Sequence, residues 1–189
     1  MNYKEELQKA TDILGKEGYI FIGQNMLAGG TSMYHMVKHL PVEQRIELPV
    51  FEDIQMGMSI GMSLENIKVC TIYPRWDFMI LAINQIVNHA DKVKRMSNGQ
   101  FKLKGLIIRT AVGSVSPMFP GEQHCGDYTE ALKLMVKDIK VIKLENPEQI
   151  VSAYLEAMES DVPTVLIEVP DLYNKDLIYD IEKSKDVVK

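Results

Sequence analysis

Three short segments of this sequence carry side chains that could do chemistry. Glu52 follows an apolar run from Leu48 to Phe51 and stands at the predicted start of a helix. Phe78 closes an aromatic cluster that begins at Tyr73, and His124 lies in a long loop after a predicted strand. A carboxylate can transfer a proton, a ring can stack on a flat ligand, and an imidazole titrates near neutral pH. Together they predict a ligand site.

Each segment also has a simpler interpretation. A carboxylate such as Glu52 favours a helix N-terminus through the helix dipole, and an aromatic cluster usually belongs to a hydrophobic core. The helix after Glu52 carries small residues at every second position from Gly57 to Ser63. Two glycines cost about 1 kcal/mol each in a helix, so this pattern favours close approach to another backbone or to a flat ligand.

The elements that must position these side chains follow from hydrophobic periodicity. Short β-rich runs alternate with amphipathic stretches, which predicts a three-layer α/β sandwich: a mainly parallel central sheet of about six strands with helices on both faces. Ligands bind at the carboxyl ends of parallel strands, so we expect the three segments to share one sheet edge. The predicted strands are Tyr19 to Ile22, Arg45 to Leu48, Lys68 to Ile72, Leu106 to Thr110, Lys140 to Lys143 and Thr164 to Val169.

Helices are predicted between these strands and before the first of them. Asn146 is expected to cap the last one, with Pro147 at its first position. The predicted ranges are Thr31 to Leu40, Asp53 to Leu64, Asp77 to Arg95, Tyr128 to Val136 and Pro147 to Glu159.

Several of these segments resemble one known family. The resemblance is to the pyrimidine-binding domain of thiamine diphosphate-dependent enzymes, in the form found in the beta subunits of 2-oxo acid dehydrogenases and in transketolase. It extends from about Phe21 to Val169. The segments that carry it are Leu48 to Glu52, Trp76 to Phe78, Ala82 to Asn88, Lys94 to Gln100, Leu106 to Thr110 and Gln123-His124.

The resemblance implies a role for each candidate residue. Glu52 would contact the cofactor's aminopyrimidine and share a proton with its ring nitrogen, and Phe78 would stack on that ring. His124 would orient the substrate or transfer a proton to its oxygen. Gln24 and Trp76 are further candidates for contact with thiamine diphosphate. Gln24 stands where the beta subunits commonly carry an acidic residue, so it keeps hydrogen-bonding capacity without the charge.

The resemblance also implies a separate partner subunit. The family's diphosphate-binding domain has Gly-Asp-Gly followed later by Asn-Asn, which together hold magnesium. Here only Gly126-Asp127 occurs, followed by Tyr128, and we interpret it as a helix start. We therefore expect no metal ligand in this chain, magnesium ligands from a diphosphate-binding (alpha-like) subunit, and a heterotetramer. Residues 1–170 would form the pyrimidine-binding domain. Residues 171–189 would form a C-terminal tail, either a surface helix or an arm that contacts a partner, where the family's beta subunits continue into a further domain.

Composition narrows the classes of partner. The chain has 189 residues, 46% of them hydrophobic, and a formal net charge of −5. This charge counts against nucleic acid or an anionic membrane as the main partner. The chain has no long apolar run and its N-terminus is charged, so we expect a cytoplasmic protein. Cys70 and Cys125 are far apart in sequence and are expected to be free thiols.

Two other patterns have simple interpretations. His35 and His39 are spaced as a zinc pair on one helix, but no third ligand accompanies them, so a solvated helix face is favoured. The sequence from Gly29 to Thr31 only weakly resembles a phosphate-binding turn, and a helix cap at Thr31 explains it.

Two other functional classes stay open at this stage. A non-catalytic binding or regulatory module could retain the same fold without turnover, since a fold does not fix function. A flavodoxin-like or Rossmann-like nucleotide binder is disfavoured because no Gly-x-Gly-x-x-Gly follows a strand. Within the favoured class, the substrate is expected to be a 2-oxo acid or a ketose, and the sequence does not separate dehydrogenase, transketolase-like or decarboxylase chemistry.

Overall fold

Six strands form one parallel sheet in the computed structural model, which describes residues 2–29, 31–114 and 119–173. The spatial order is β2-β1-β3-β4-β6-β5, with every pair parallel. Each strand bound lies within one residue of its predicted position. The strands are β1 (Ile20–Gly23), β2 (Arg45–Glu47), β3 (Val69–Ile72), β4 (Ile107–Ala111), β5 (Lys140–Lys143) and β6 (Thr164–Glu168).

Helices cover both faces of this sheet, so the predicted three-layer α/β sandwich is confirmed. The helices are α1 (Tyr3–Lys16), α2 (Ser32–Val37), α3 (Glu52–Leu64), α4 (Trp76–Met79), α5 (Val93–Met96), α6 (Thr129–Met135) and α7 (Pro147–Glu159). The predicted tail from residue 174 onward lies outside the described residues. Among the described residues, no helix is long and apolar enough to cross a membrane.

Two hydrophobic cores lie on opposite faces of the sheet. Along β4, Ile107 packs into the core beneath α1, α2 and α7, whereas Ile108 packs into the core beneath α3, α4 and α6. All five residues of β4 are buried, because a parallel strand covered on both faces has no solvent side. The sheet is therefore a rigid support whose carboxyl edge can present loops.

The helix that periodicity predicts from Asp77 to Arg95 is not continuous, so this prediction is wrong. A 3₁₀ turn (Ile80–Ala82) follows α4, and a π-helical turn (Gln85–Ala90) precedes α5. Asp91 ends the π turn, and its Oδ1 accepts hydrogen bonds from the backbone N–H groups of residues 137–139 at 2.7 to 3.0 Å. We attribute the interruption at Asp91, between the π turn and α5, to this distant anchor, because tertiary contacts override local helix preference.

The structure also tests the predicted helix caps and the predicted pairing of two histidines on one helix. Thr31 caps α2 as expected, since its hydroxyl accepts a hydrogen bond from the Tyr34 N–H at 3.4 Å. Asn146 occupies the N-cap position of α7, but its side chain forms no capping hydrogen bond. His35 and His39 do not share a helix, because α2 ends at Val37; His39 contacts Asp12 at 2.6 Å instead.

Candidate active site

Glu52 and Gln24 meet at the carboxyl edge of the sheet. Gln24 directly follows β1, and Glu52 is the first residue of α3, after β2. The N–H of Leu48 donates to the carbonyl of Gly23 at 2.9 Å, which holds the two connecting loops side by side. As a result Nε2 of Gln24 donates a hydrogen bond of 2.9 Å to Oε1 of Glu52. The sequence named both residues, and the structure brings them together.

The Glu52 carboxylate is buried yet incompletely satisfied by protein groups. Only 2% of the residue is exposed. Its backbone carbonyl accepts a hydrogen bond from the Tyr73 hydroxyl at 3.2 Å, and burial raises the pKa of Tyr73, which keeps that hydroxyl a donor. Among the described residues, Oε2 of Glu52 has no hydrogen-bond partner. A carboxylate oxygen that no protein group binds can accept a proton or a hydrogen bond from a ligand.

Phe78 and His124 form a second pair near the same edge. Phe78 lies in α4, and His124 ends a 3₁₀ turn (Glu122–His124) in the loop after β4. Their ring centroids are 5.5 Å apart at an interplanar angle of 57°. Both residues are half-buried, and Nδ1 of His124 is buried without a hydrogen-bond partner among the described residues.

The parallel topology explains why these two pairs share an edge. Gln24 follows β1, α4 follows β3, and the His124 loop follows β4, and these three strands are neighbours in the sheet. All three segments leave the carboxyl ends of their strands, where α/β proteins bind ligands. The expectation of one common edge is confirmed.

Trp76 does not join these residues. Its side chain is fully buried in the core beneath α3 and α4. The indole N–H donates to Thr129 Oγ1 at 3.4 Å, and the ring packs edge-on against Tyr128 at 5.8 Å. A side chain without exposed surface cannot offer a ring face to a ligand, so the expected contact of Trp76 with a cofactor finds no support in the structure.

Three further side chains at this edge were not predicted from the sequence: Gln55, Arg75 and Asp77. Nε2 of Gln55 donates to Thr71 Oγ1 at 2.9 Å and to the Ile72 carbonyl at 3.0 Å, so this buried amide ties α3 to β3. Arg75 and Asp77 contact the His124 loop. The only sequence feature that could have identified them is their position within or beside the segments named above. Their residue types carry no signal, because polar side chains at strand ends are common.

Asp127 lies two residues before α6 and binds its first residue, in agreement with the helix start that the sequence predicts. Its Oδ1 accepts hydrogen bonds from the N–H and the hydroxyl of Thr129, and its Oδ2 pairs with Lys143 at 2.8 Å. Burial alone would raise the pKa of Asp127, but Lys143 and Thr129 lower it. Within the described part of the chain, no three His, Cys, Asp or Glu side chains are grouped closely enough to hold a metal ion.

The fold is that of a transketolase-like α/β domain. The chain aligns with a split-gene transketolase, described as an inactive beta4 tetramer, at a TM-score of 0.67 and 16% identity, covering 89% of this chain and 51% of that one. It aligns with a transketolase from Pichia stipitis at a TM-score of 0.63 and 15% identity, covering 88% of this chain and 25% of that one. At these identities the likeness shows the fold alone.

Sequence comparison finds relatives that are beta subunits of 2-oxo acid dehydrogenases. The chain is 29% identical over 127 residues to 2-oxoisovalerate dehydrogenase subunit beta 2 of Arabidopsis thaliana, covering 67% of this chain and 35% of the relative. It is 27% identical over 139 residues to the pyruvate dehydrogenase E1 component subunit beta of Rickettsia conorii, covering 74% of this chain and 41% of the relative. The chain thus spans well under half the length of these relatives. No protein-family profile matches it. The resemblance to thiamine diphosphate-dependent beta subunits and transketolase is confirmed.

Proposed function

We propose that this chain is the pyrimidine-binding subunit of a heteromeric thiamine diphosphate-dependent enzyme that acts on a 2-oxo acid or a ketose. Residues 1–170 would form the pyrimidine-binding domain. The observation that carries the proposal is the Gln24–Glu52 hydrogen bond, which orients a buried carboxylate at the carboxyl edge of the sheet. The beta-subunit relatives support it, because they resemble this chain over 127 and 139 residues.

The site residues fit an aminopyrimidine ring. The free Oε2 of Glu52 could share a proton with the ring nitrogen, while Gln24 holds the other carboxylate oxygen in place. The half-buried ring of Phe78 could pack against the flat heterocycle. Thiamine diphosphate supplies the electron sink for cleaving and forming bonds next to a carbonyl. His124, packed on Phe78, would then orient the substrate or transfer a proton to its oxygen.

The remainder of the cofactor would be bound by another chain. We propose that a diphosphate-binding, alpha-like subunit supplies the ligands of magnesium, which prefers phosphate and carboxylate oxygens. The names of the relatives support a shared site, since each is the beta subunit of a larger enzyme. The active site would then lie between this chain's carboxyl sheet edge and the partner.

Self-association into a heterotetramer is supported by one face of the molecule. Segments 54–64 and 78–90 contain no Asp, Glu, Lys or Arg, and they pack side by side. Yet Ile54 is 55% exposed and Leu81 is 60% exposed. Interface centres are depleted of charge and rich in apolar side chains, and a neutral face can meet its own copy without like-charge repulsion. The matched split-gene transketolase is itself described as a beta4 tetramer.

Calorimetric titration tests the proposal. Thiamine diphosphate with Mg²⁺ is titrated into this chain, into a candidate partner that carries Gly-Asp-Gly and Asn-Asn, and into their mixture. We expect weak or no binding by this chain alone and tight, magnesium-dependent binding by the mixture. Micromolar binding by this chain alone would refute the shared site. Tight binding by the mixture without proton exchange at C2 of the cofactor would favour the non-catalytic module.

A further inference from the structure

The segment after β3 holds the loop that carries His124. We propose that Asp77 and Arg75 are positioning residues that fix the His124 imidazole against the ring of Phe78. The role of His124 in turnover rests on the proposed function. The positioning itself rests only on contacts within this chain.

Two charged side chains bind the backbone directly after the His124 Cα atom. Nη1 of Arg75 donates to the carbonyl oxygen of His124 at 3.0 Å. Oδ2 of Asp77 accepts a hydrogen bond from the N–H of Gly126 at 3.3 Å. Phe78, the next residue, contacts the imidazole itself. One short segment thus determines both where the backbone of His124 lies and what its ring packs against.

The loop backbone lies directly on Asp77. A Cβ atom at Gly126 would stand 2.6 Å from Asp77 Oδ1 and 2.3 Å from the Tyr128 ring, closer than such atoms approach. Oδ1 also accepts a hydrogen bond from the Tyr128 hydroxyl at 3.4 Å. A larger residue at position 126 would therefore displace the side chain of Asp77 or Tyr128, and the carboxylate binds the loop at two points.

The charges of Arg75 and Asp77 act on this loop and not on each other. Neither side chain forms an ion pair within the described ranges 2–29, 31–114 and 119–173. Hydrogen bonds from ionised groups to backbone dipoles are stronger than neutral ones. The loop is also held at the exit of β4, where the Gly113 N–H donates to the Gly126 carbonyl at 3.4 Å and Cys125 Sγ donates to the Ser114 carbonyl at 3.7 Å. Arg75 and Asp77 instead tie the loop to the segment that carries Phe78. We therefore assign the position of His124 against Phe78 to these two side chains.

NMR of the histidine rings in the full chain tests the positioning directly. The chain has four histidines, and a His124→Asn variant assigns the His124 signals. We expect the Phe78 ring current to shift these signals in the wild type, because the two ring centroids are 5.5 Å apart. We expect Asp77→Ala and Arg75→Met to move them toward the values of an exposed histidine. Asp77→Asn and Arg75→Lys, which keep an acceptor and a donor, should restore part of the shift.

Glu130→Ala is the matched control, because Glu130 is an exposed acidic residue on the neighbouring helix α6. It should leave the His124 signals unchanged. If Asp77→Ala does not fold, Arg75→Met and its lysine rescue decide the question. Wild-type His124 signals in folded Asp77→Ala or Arg75→Met would overturn the proposal.

A second measurement separates this inference from the proposed function. In the reconstituted enzyme, Asp77→Ala should lower turnover by about 10²-fold, the loss expected from misplacing a reacting group, while C2 proton exchange stays at the wild-type rate. Wild-type turnover would overturn the role in catalysis. If the variants alter the His124 signals but the wild-type complex has no thiamine diphosphate-dependent activity, the positioning stands and the proposed function is refuted.

Discussion

Nε2 of Gln24 lies 2.9 Å from Oε1 of Glu52, although 28 residues separate the two along the chain. The loop that carries Gln24 is held by the Glu47 carboxylate, which accepts hydrogen bonds from the N–H groups of Asn25 and Leu27 at 2.8 and 2.7 Å. Gln24 can donate to a carboxylate, whereas an acidic side chain in its place would require a shared proton. Gln24 therefore orients Glu52 without a shared proton.

Loss of this hydrogen bond should weaken cofactor binding. Gln24→Leu removes the donor and leaves Glu52 free to adopt other rotamers. A hydrogen bond to a charged group contributes about 1.5 to 3 kcal/mol, so affinity for thiamine diphosphate should fall by roughly 10- to 100-fold. Titration of the reconstituted complex measures this. Gln24→Asn is the control for the amide group, and unchanged affinity in Gln24→Leu would remove Gln24 from the site.

Glu52→Gln should leave folding nearly intact and remove most activity. The amide has the same shape and can still accept a hydrogen bond from Gln24, but it cannot carry the transferred proton. Proton-transfer roles contribute about 10²- to 10⁴-fold, or roughly 3 to 5 kcal/mol of barrier. C2 proton exchange in the reconstituted complex is the assay. A wild-type exchange rate would show that Glu52 only begins the helix.

His124→Ala should separate the substrate step from the cofactor step. His124 packs on Phe78 and does not contact Glu52 in any described hydrogen bond, so cofactor affinity and C2 exchange should be spared. Turnover should fall by about 10²- to 10⁴-fold, as expected for a general acid or an orienting donor. An exchange defect as large as that of Glu52→Gln, or full activity, would contradict this assignment.

The two free cysteines should differ in reactivity. Cys70 is buried, and burial raises its pKa from 9.0 to about 12, whereas Cys125 is half-buried. Only the thiolate attacks iodoacetamide, so at pH 8 native protein should be alkylated at Cys125 and not at Cys70. Mass spectrometry of the digested protein checks this, with urea-unfolded protein as the control in which both react. Early labelling of Cys70 would contradict its burial.

The raised pKa of the Cys70 thiol also predicts how folding stability changes at alkaline pH. The folded chain keeps the Cys70 proton to a higher pH than the unfolded chain, so the unfolded state binds fewer protons above pH 9. Stability present below pH 9 should therefore be lost as pH rises toward about 12. Urea unfolding at several pH values measures the slope. Cys70→Ala should reduce that slope.

Breaking the buried ion pair between Arg109 and Glu168 should strongly destabilise the protein. Both side chains are 0% exposed, and the Tyr173 hydroxyl also donates to Glu168. Burial opposes the charge of Arg109, but Glu168 raises the Arg109 pKa well above its usual value. Removing one partner of a buried pair costs about 3 to 5 kcal/mol, so Glu168→Leu should destabilise the protein by this amount.

A double variant provides the contrast. Arg109→Leu combined with Glu168→Leu should recover most of the lost free energy of unfolding, because no buried charge is left without a partner. Lys133→Ala, which breaks an exposed pair with Glu130, should cost less than about 1 kcal/mol. Equal stability of the single and double variants in urea unfolding would show that the pair is not coupled.

The sequence alone determined the layers of the fold and half of the site. Strand positions follow from short apolar runs, and α7 begins at Pro147 and ends at Glu159 as predicted, because burial period and proline geometry are local properties. Glu52 was identified at a helix start for the same reason. The parallel topology then required that Glu52, Phe78 and His124 share one edge.

Only the tertiary structure decided which side chains meet. The hydrogen bond between Gln24 and Glu52 and the ion pair between Arg109 and Glu168 join residues 28 and 59 positions apart. The burial of Trp76 depends likewise on helices that arrive from elsewhere in the chain. The interruption of the helix at Asp91, before α5, has the same origin, since Asp91 is held by backbone groups of residues 137–139. Such pairings depend on strand order and packing, and a local pattern carries no information about its distant partner.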